Sequence, residues 1–378
     1  MRIGFVSTYP PIECGIATYT SYLRDELTKQ GNETFVVSSI GAAGKNVFSV
    51  YTVNEKGFGS LIYDTSIKLT PDLMHIQHEF GLYGQNNKLQ IIELILRYKL
   101  TGIPVVTTFH TVKDMATAEE NLIQRIMLSE SSAVIVHDDS QKKLLVERFG
   151  MAEKIHVVPH GVREVSTIVD AKKKLKVEGK KVILLCGYFR PIKRFDKIVK
   201  LMPEITRQDE NAILVIAGKT RRIKCFGNLF QLVNKSPVKE KIIVLCGQFP
   251  QHTFDVIISA ADLIVLPYEA GAQSGIMAQC YAFHKPIVTS NLPAFKKETK
   301  KIGTGLVCET DEDYVKNIIK IFSDDQFRLS LVKNISNYIE KEAGWSKVAS
   351  AHSVIYQSLV KFPYSGAKHT YFPEEDAS

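Results

Sequence analysis

Short apolar runs of strand type alternate with segments of helical periodicity almost from the first residue. This alternation most constrains what the chain can fold into. Residues 2–7 read as a strand, residues 10–15 as a loop, and residues 16–29 as an amphipathic helix stopped by Gly31. Strands at 34–38, 73–77, 104–109, 133–136 and 155–158 follow, with helices at 90–100, 118–128 and 140–149. Strands separated by helices imply right-handed crossovers and a parallel sheet, hence one doubly wound domain. The pattern then restarts. Strands at 181–186, 212–217, 242–245, 262–266, 286–289 and 305–307 alternate with helices at 193–202, 229–235, 253–260, 276–283, 312–322 and 326–340. The expected class is therefore α/β, with two Rossmann-like units: residues 1–165, and residues 166–344 beyond a junction near 161–176. Ligands are expected in a cleft at the C-terminal edges of the two sheets. A last helix over 345–360 is expected to cross back to the first domain. The acidic, apolar-poor tail at 361–378 has the composition of a disordered end.

With 378 residues, 45% hydrophobic and 23% charged, the chain is long enough for two cores. No apolar run has the length of a membrane span, and the N-terminus enters a strand directly, so a cytoplasmic protein is expected. Six cysteines lie scattered without CxxC spacing, mostly in apolar contexts, which favours reduced thiols and neither zinc nor disulfides. The net charge of +8 suits an anionic ligand or peripheral attachment at the inner membrane face. Basic stretches at 172–181, 221–224 and 296–301 lack interleaved aromatics, so they read as solvated surface and not as a nucleic-acid interface.

Two stretches carry the chemistry. In PYEAGAQSG, a loop with Gly271, Gln273, Ser274 and Gly275 leads into a helix. Backbone N–H groups at the positive end of that helix can hold a phosphate. In GYFRPIKRFDKIV, Arg190 and Lys193 fall where a strand end meets a helix start, and a diphosphate is the natural partner of such a pair. Singly, an ordinary βα turn and two solvated cations explain these features as well. Together, at strand ends of one sheet, they would face one anion.

GYFRPIKRFDKIV resembles the Gly-x-x-x-x-x-Lys-Gly motif of the retaining family-4 glycosyltransferases, which have the two-Rossmann GT-B fold. PYEAGAQSGIMAQCYAFHKPIVTS resembles that family's signature loop. VVPHGV, CGIATY and TTFHT resemble its hinge, first-loop and first-domain strand elements. The resemblance implies a nucleotide-diphosphate sugar donor held mostly by the second domain. Arg190 and Lys193 would hold the diphosphate and stabilise the leaving group's charge. Backbone near Ser274, Gly275 and Ile276 would share that load, and Gly15 would let the first loop approach without a Cβ. Phe249 would line the nucleobase pocket, and His110 would hydrogen-bond the donor sugar. His78 and Glu79 fall with the acceptor or the sugar, though Glu79 also reads as a structural carboxylate.

The departures from the family pattern are specific. Its first glutamate falls on Gly271, leaving Glu269 or Gln273 as candidate replacements. Its ribose-binding glutamate falls on Gln279, which keeps two hydrogen-bonding atoms without charge. The family's Lys-Gly is Lys193-Arg194 here. No carboxylate pair stands out for a double-displacement mechanism, which needs two acids about 5 Å apart. The resemblance thus implies transfer of mannose or glucose by front-face displacement with retention, no metal and no cofactor. The donor is GDP-mannose or a UDP-sugar, and the acceptor a glycan, a lipid-linked sugar or a small sugar. Two alternatives stay open: a same-fold epimerase or phosphorylase, and a degenerate carbohydrate-binding module.

Overall fold

The computed structural model describes residues 1–84, 89–113, 115–219, 223–247, 249–270, 275–361 and 363, except for the side chains of 223–226, 294, 297 and 298. The chain divides into two compact units, Met1–Gly161 with Trp345–Ser378, and Val162–Gly344. The C-terminal helix Trp345–Leu359 thus belongs with the N-terminal unit.

The first unit holds seven strands: β1 (Arg2–Val6), β2 (Glu33–Ser39), β3 (Val47–Tyr51), β4 (Leu73–His78), β5 (Val105–Phe109), β6 (Ala133–Val136) and β7 (Ile155–Val157). They run parallel in the order β3-β2-β1-β4-β5-β6-β7. Strand order reverses between β1 and β4, which opens a crevice beyond their C-terminal ends. Strand β3 and the helix Phe58–Ile67 are additions to the sequence-based expectation. Strand β3 lies at the sheet's edge and most of it is only half-buried, so it lacks the apolar run that marks the inner strands. One apolar cluster, with Phe35, Phe58, Ile76 and Phe109, covers one face of the sheet. A second, with Phe5, Tyr19, Ile135, Val348 and Tyr356, covers the other and recruits the C-terminal helix.

The second unit holds six parallel strands: β8 (Lys181–Cys186), β9 (Ala212–Gly218), β10 (Ile242–Cys246), β11 (Leu263–Leu266), β12 (Ile287–Ser290) and β13 (Gly305–Cys308). Their order is β10-β9-β8-β11-β12-β13, so the reversal falls between β8 and β11. The strands KVILLC, AILVIAG and LIVL are continuously apolar because helices cover both faces. The helix expected over 229–235 begins earlier, at Ile223.

Close packing at the end of β9 fixes the loop after β8. A Cβ on Gly218 would lie 1.9 Å from the carbonyl oxygen of Gly187, and Gly187 itself has φ +110°. Gly218→Ala must push this backbone aside, at about 1–3 kcal/mol. A lower urea midpoint with unchanged slope is expected, and an unchanged midpoint refutes this account of the packing.

Of the cysteines, Cys14, Cys186, Cys246, Cys280 and Cys308 are free thiols. Among the described residues no group of three or more His, Cys, Asp and Glu could hold a metal ion. Among them, too, no helix is long and apolar enough to cross a membrane.

Candidate active site

The β8–β11 reversal gathers the cationic residues of the second unit. After β8 the chain passes Gly187, then the exposed Arg190, then a single 3-10 turn, Pro191–Lys193. Arg194 follows in the left-handed region at φ 48° and opens the helix Phe195–Gln208. The loop after β11 is fastened to this turn. Glu269 N–H donates to Ile192 O at 2.8 Å, and Arg194 Nη1 lies 3.6 Å from Glu269 Oε2. Glu269, one candidate for the missing family glutamate, is therefore committed in part to Arg194.

Lys193 is half-buried. Its ammonium stands 4.8 Å from the Tyr268 ring centroid and 6.0 Å from that of Phe195. A Cβ on Gly187 would meet Lys193 Nζ at 2.5 Å and the Ile276 side chain at 3.4 Å, so these two side chains share one corner. Among the described residues no carboxylate or carbonyl pairs with Lys193, and none pairs with Arg190, whose guanidinium lies 5.6 Å from the Tyr188 ring centroid. Burial lowers the Lys193 amine to about 8, and the neighbouring Arg190 charge adds to the shift. Two cations without a counterion among the described residues, at a strand-order reversal, are able to receive an external anion.

Gly275 opens the helix Gly275–Ala282, and a Cβ there would meet nothing. Gly271, Gln273 and Ser274 lie outside the described residues. Gln279 is held from behind: its Oε1 accepts from Arg163 Nε at 3.0 Å. Arg163 in turn forks onto Asp255, with Nη1 to Oδ2 at 3.0 Å and Nη2 to Oδ1, and lies 5.4 Å from the Phe283 ring centroid. No local sequence signal marks Arg163 or Asp255, since they are brought together only by the fold. Phe249 packs partly buried against the core beside Gly247.

In the first unit Gly15 is the first residue of the helix Gly15–Lys29, whose N-cap Cys14 makes no side-chain cap. Neither packing nor a positive φ requires glycine at this position. His78 ends β4, buried, its Nδ1 without a partner among the described residues, and loss of water lowers it to about 4. Glu79 bridges two loops instead of standing free: Oε2 accepts from Thr111 Oγ1 at 2.5 Å and Oε1 from Phe80 N–H at 3.2 Å. His110 follows β5. Its Nε2 lies 2.7 Å from the Gln77 amide and its Nδ1 lies 3.3 Å from His137 Nε2. Both ring nitrogens are thus engaged inside the protein. Burial, reinforced by His137 and other histidines, keeps this ring far below its usual range and therefore neutral. His137, His160, His75 and His352 were not singled out from the sequence, because isolated histidines tens of residues apart leave no periodic trace.

Residues 14–164 match the family described as Glycosyltransferase Family 4, and residues 167–338 match the one described as Glycosyl transferases group 1. Sucrose-phosphate synthase from Thermosynechococcus elongatus superposes with a TM-score of 0.77 at 15% identity, covering 95% of this chain and 99% of that one. HepE of Anabaena, solved in complex with UDP, gives 0.74 at 13% identity, covering 95% and 100%. Among sequences, the putative glycosyltransferase YtcC of Bacillus subtilis (strain 168) is 23% identical over 253 residues. That alignment spans 62% of this chain and 62% of the relative's own length. Two parallel Rossmann-like units of this kind are the GT-B fold. The chain belongs to the family-4 type of glycosyltransferases, its two halves each matching one of the family's two domains.

Proposed function

We propose that the protein transfers a hexose, mannose or glucose, from a nucleoside-diphosphate sugar to a hydroxyl of a glycan, lipid-linked or small sugar acceptor, with retention of configuration. The observation that carries this reading is that Arg190 and Lys193 have no counterion among the described residues, with Lys193 sharing a corner with Ile276 in the first turn of the helix at Gly275. An ionised diphosphate supplies the missing charge. The same groups stabilise it as a leaving group, because negative charge grows on the bridging oxygen as the glycosidic bond breaks. The leaving phosphate oxygen then takes the acceptor hydroxyl's proton on the same face. Cationic side chains and the helix dipole perform the role a metal plays elsewhere. Gln279 meets the ribose, Phe249 the base, and Ile276 with the backbone at Gly275 the phosphates. His110 serves the sugar, with His78 and Glu79 on the acceptor side. Gln273 and Ser274 complete the phosphate loop. HepE of Anabaena is also solved with UDP-glucose, which supports a nucleotide-sugar donor.

The test is a thermal-shift series with UDP, GDP, ADP and their hexose conjugates, followed by product analysis with sugar acceptors in EDTA. One diphosphate should raise the unfolding temperature with the logarithm of its concentration. Transfer should persist in EDTA. Stabilisation by no nucleotide rejects the site assignment, nucleotide binding without any turnover of the donor leaves the binding-module alternative, and donor turnover without an acceptor leaves the epimerase or phosphorylase.

A further inference from the structure

A file of side chains crosses the first unit from the C-terminal helix to the end of β7. Tyr356 Oη lies 2.6 Å from His75 Nδ1. His75 Nε2 lies 2.7 Å from Thr108 Oγ1 and 3.2 Å from the Gln77 amide. The other amide atom of Gln77 lies 2.7 Å from His110 Nε2. His110 Nδ1 then meets His137 Nε2 at 3.3 Å, and His137 Nδ1 meets the carbonyl oxygen of Val158 at 3.1 Å. His75, Gln77, Thr108, His137 and Tyr356 are all buried.

The last link decides the direction of the rest. A carbonyl oxygen only accepts, so His137 carries its proton on Nδ1. A neutral His137 then has only a lone pair at Nε2, and His110 must donate to it from Nδ1. His110 Nε2 is left as a lone pair, which accepts from the Gln77 amide N–H. That requires the amide oxygen and nitrogen of Gln77 to be taken in the order that leaves the outline of the side chain unchanged. The Gln77 oxygen and Thr108 Oγ1 then accept from His75 Nε2–H, and Tyr356 donates to His75 Nδ1. Every ring nitrogen in the file then has a complementary partner. The opposite polarity puts a second proton on His137. No carboxylate hydrogen-bonds any of these rings among the described residues, and a buried, unpaired cation is costly.

We propose that His137 is a positioning residue that fixes His110 as its Nδ1–H tautomer, so that His110 can meet a ligand only by accepting a hydrogen bond at Nε2. The consequence for substrate rests on the functional reading given above. A sugar hydroxyl can donate to Nε2 when the Gln77 amide gives way to it. An ionised phosphate oxygen only accepts and finds no N–H there. His110 therefore reads a hydroxyl of the donor sugar and not its diphosphate.

Long-range 15N–1H correlation spectra of the full chain labelled in histidine test this directly, with His110 assigned by comparison with His110→Gln. Wild type should show a pyrrole-type Nδ1 and a pyridine-type Nε2 for His110. In His137→Phe, which cannot accept from Nδ1–H, His110 should shift toward the Nε2–H form, and kcat/KM should fall about threefold to tenfold, the worth of one hydrogen bond. If His137→Phe does not fold, His137→Leu serves: it can neither donate nor accept, and the tautomer should move the same way. An Nε2–H wild-type His110 overturns the inference. So does an unchanged tautomer in the folded His137 variants. The spectra need no nucleotide sugar, so they stand or fall separately from the transferase reading.

Discussion

Acidification from pH 6.5 to pH 4 should unfold the first unit while it remains stable at neutral pH. The cause is a set of histidines withdrawn from water: His110, His137, His160 and His352 around Tyr19, with His75 beside His352 and His78 beside Phe109. Desolvation lowers His78 and His352 to about 4 and His137 to about 3, and takes His75 and His110 well below their usual range. In the unfolded chain each titrates near 6.5. The folded state therefore binds fewer protons between those limits. Stability is complete above about pH 6.5 and falls as the pH drops toward the folded values. Each such ring costs about 1.4 kcal/mol per pH unit in that window, so the three at His78, His137 and His352 together cost about 4 kcal/mol per unit. That is a large part of the roughly 5–15 kcal/mol by which a folded protein is stable. Urea midpoints at pH 7, 6, 5 and 4.5 measure it. A flat profile would mean that the folded unit accepts these protons, and the burial argument would fail.

Lys193→Ala should lower kcat/KM for the nucleotide sugar about tenfold to a hundredfold, as expected for one charge-assisted bond of about 1.5–3 kcal/mol felt in the transition state. The amine is confined by Tyr268, Ile276 and the bare backbone of Gly187, where a Cβ would come within 2.5 Å. Lys193→Arg is not expected to rescue, since a planar guanidinium does not fit a corner shaped around a compact ammonium. The lowered value of about 8 adds a pH signature. The protonated amine is the form that holds a diphosphate, so affinity for the free nucleotide should decline as pH rises through about 8. Lys193→Ala should lose that dependence. Full turnover in the alanine variant would remove Lys193 from the phosphate site.

The alternation of strand and helix was legible in the sequence because inner parallel strands are apolar on both faces, as in KVILLC and AILVIAG. Arg190 and Lys193 were legible because they follow such a strand within a few residues. Strand β3 was not, for an edge strand half-open to solvent needs no continuous apolar run. Glu79 was open in the sequence between an acceptor contact and a structural carboxylate, and the fold shows the carboxylate accepting from Thr111 and Phe80 across two loops. Gln279 was placed by sequence. That its oxygen is already held by Arg163, itself clamped to Asp255, needed the fold.

The sequence by itself determined the two parallel-sheet units and the cations at the β8 strand end, since periodicity and strand-end position are local properties of the chain. Tertiary structure alone decided that those cations lack counterions among the described residues and that Glu269 is tied to Arg194. It alone also set four scattered histidines around one tyrosine, because pairing and burial depend on residues far apart in sequence meeting where water is excluded.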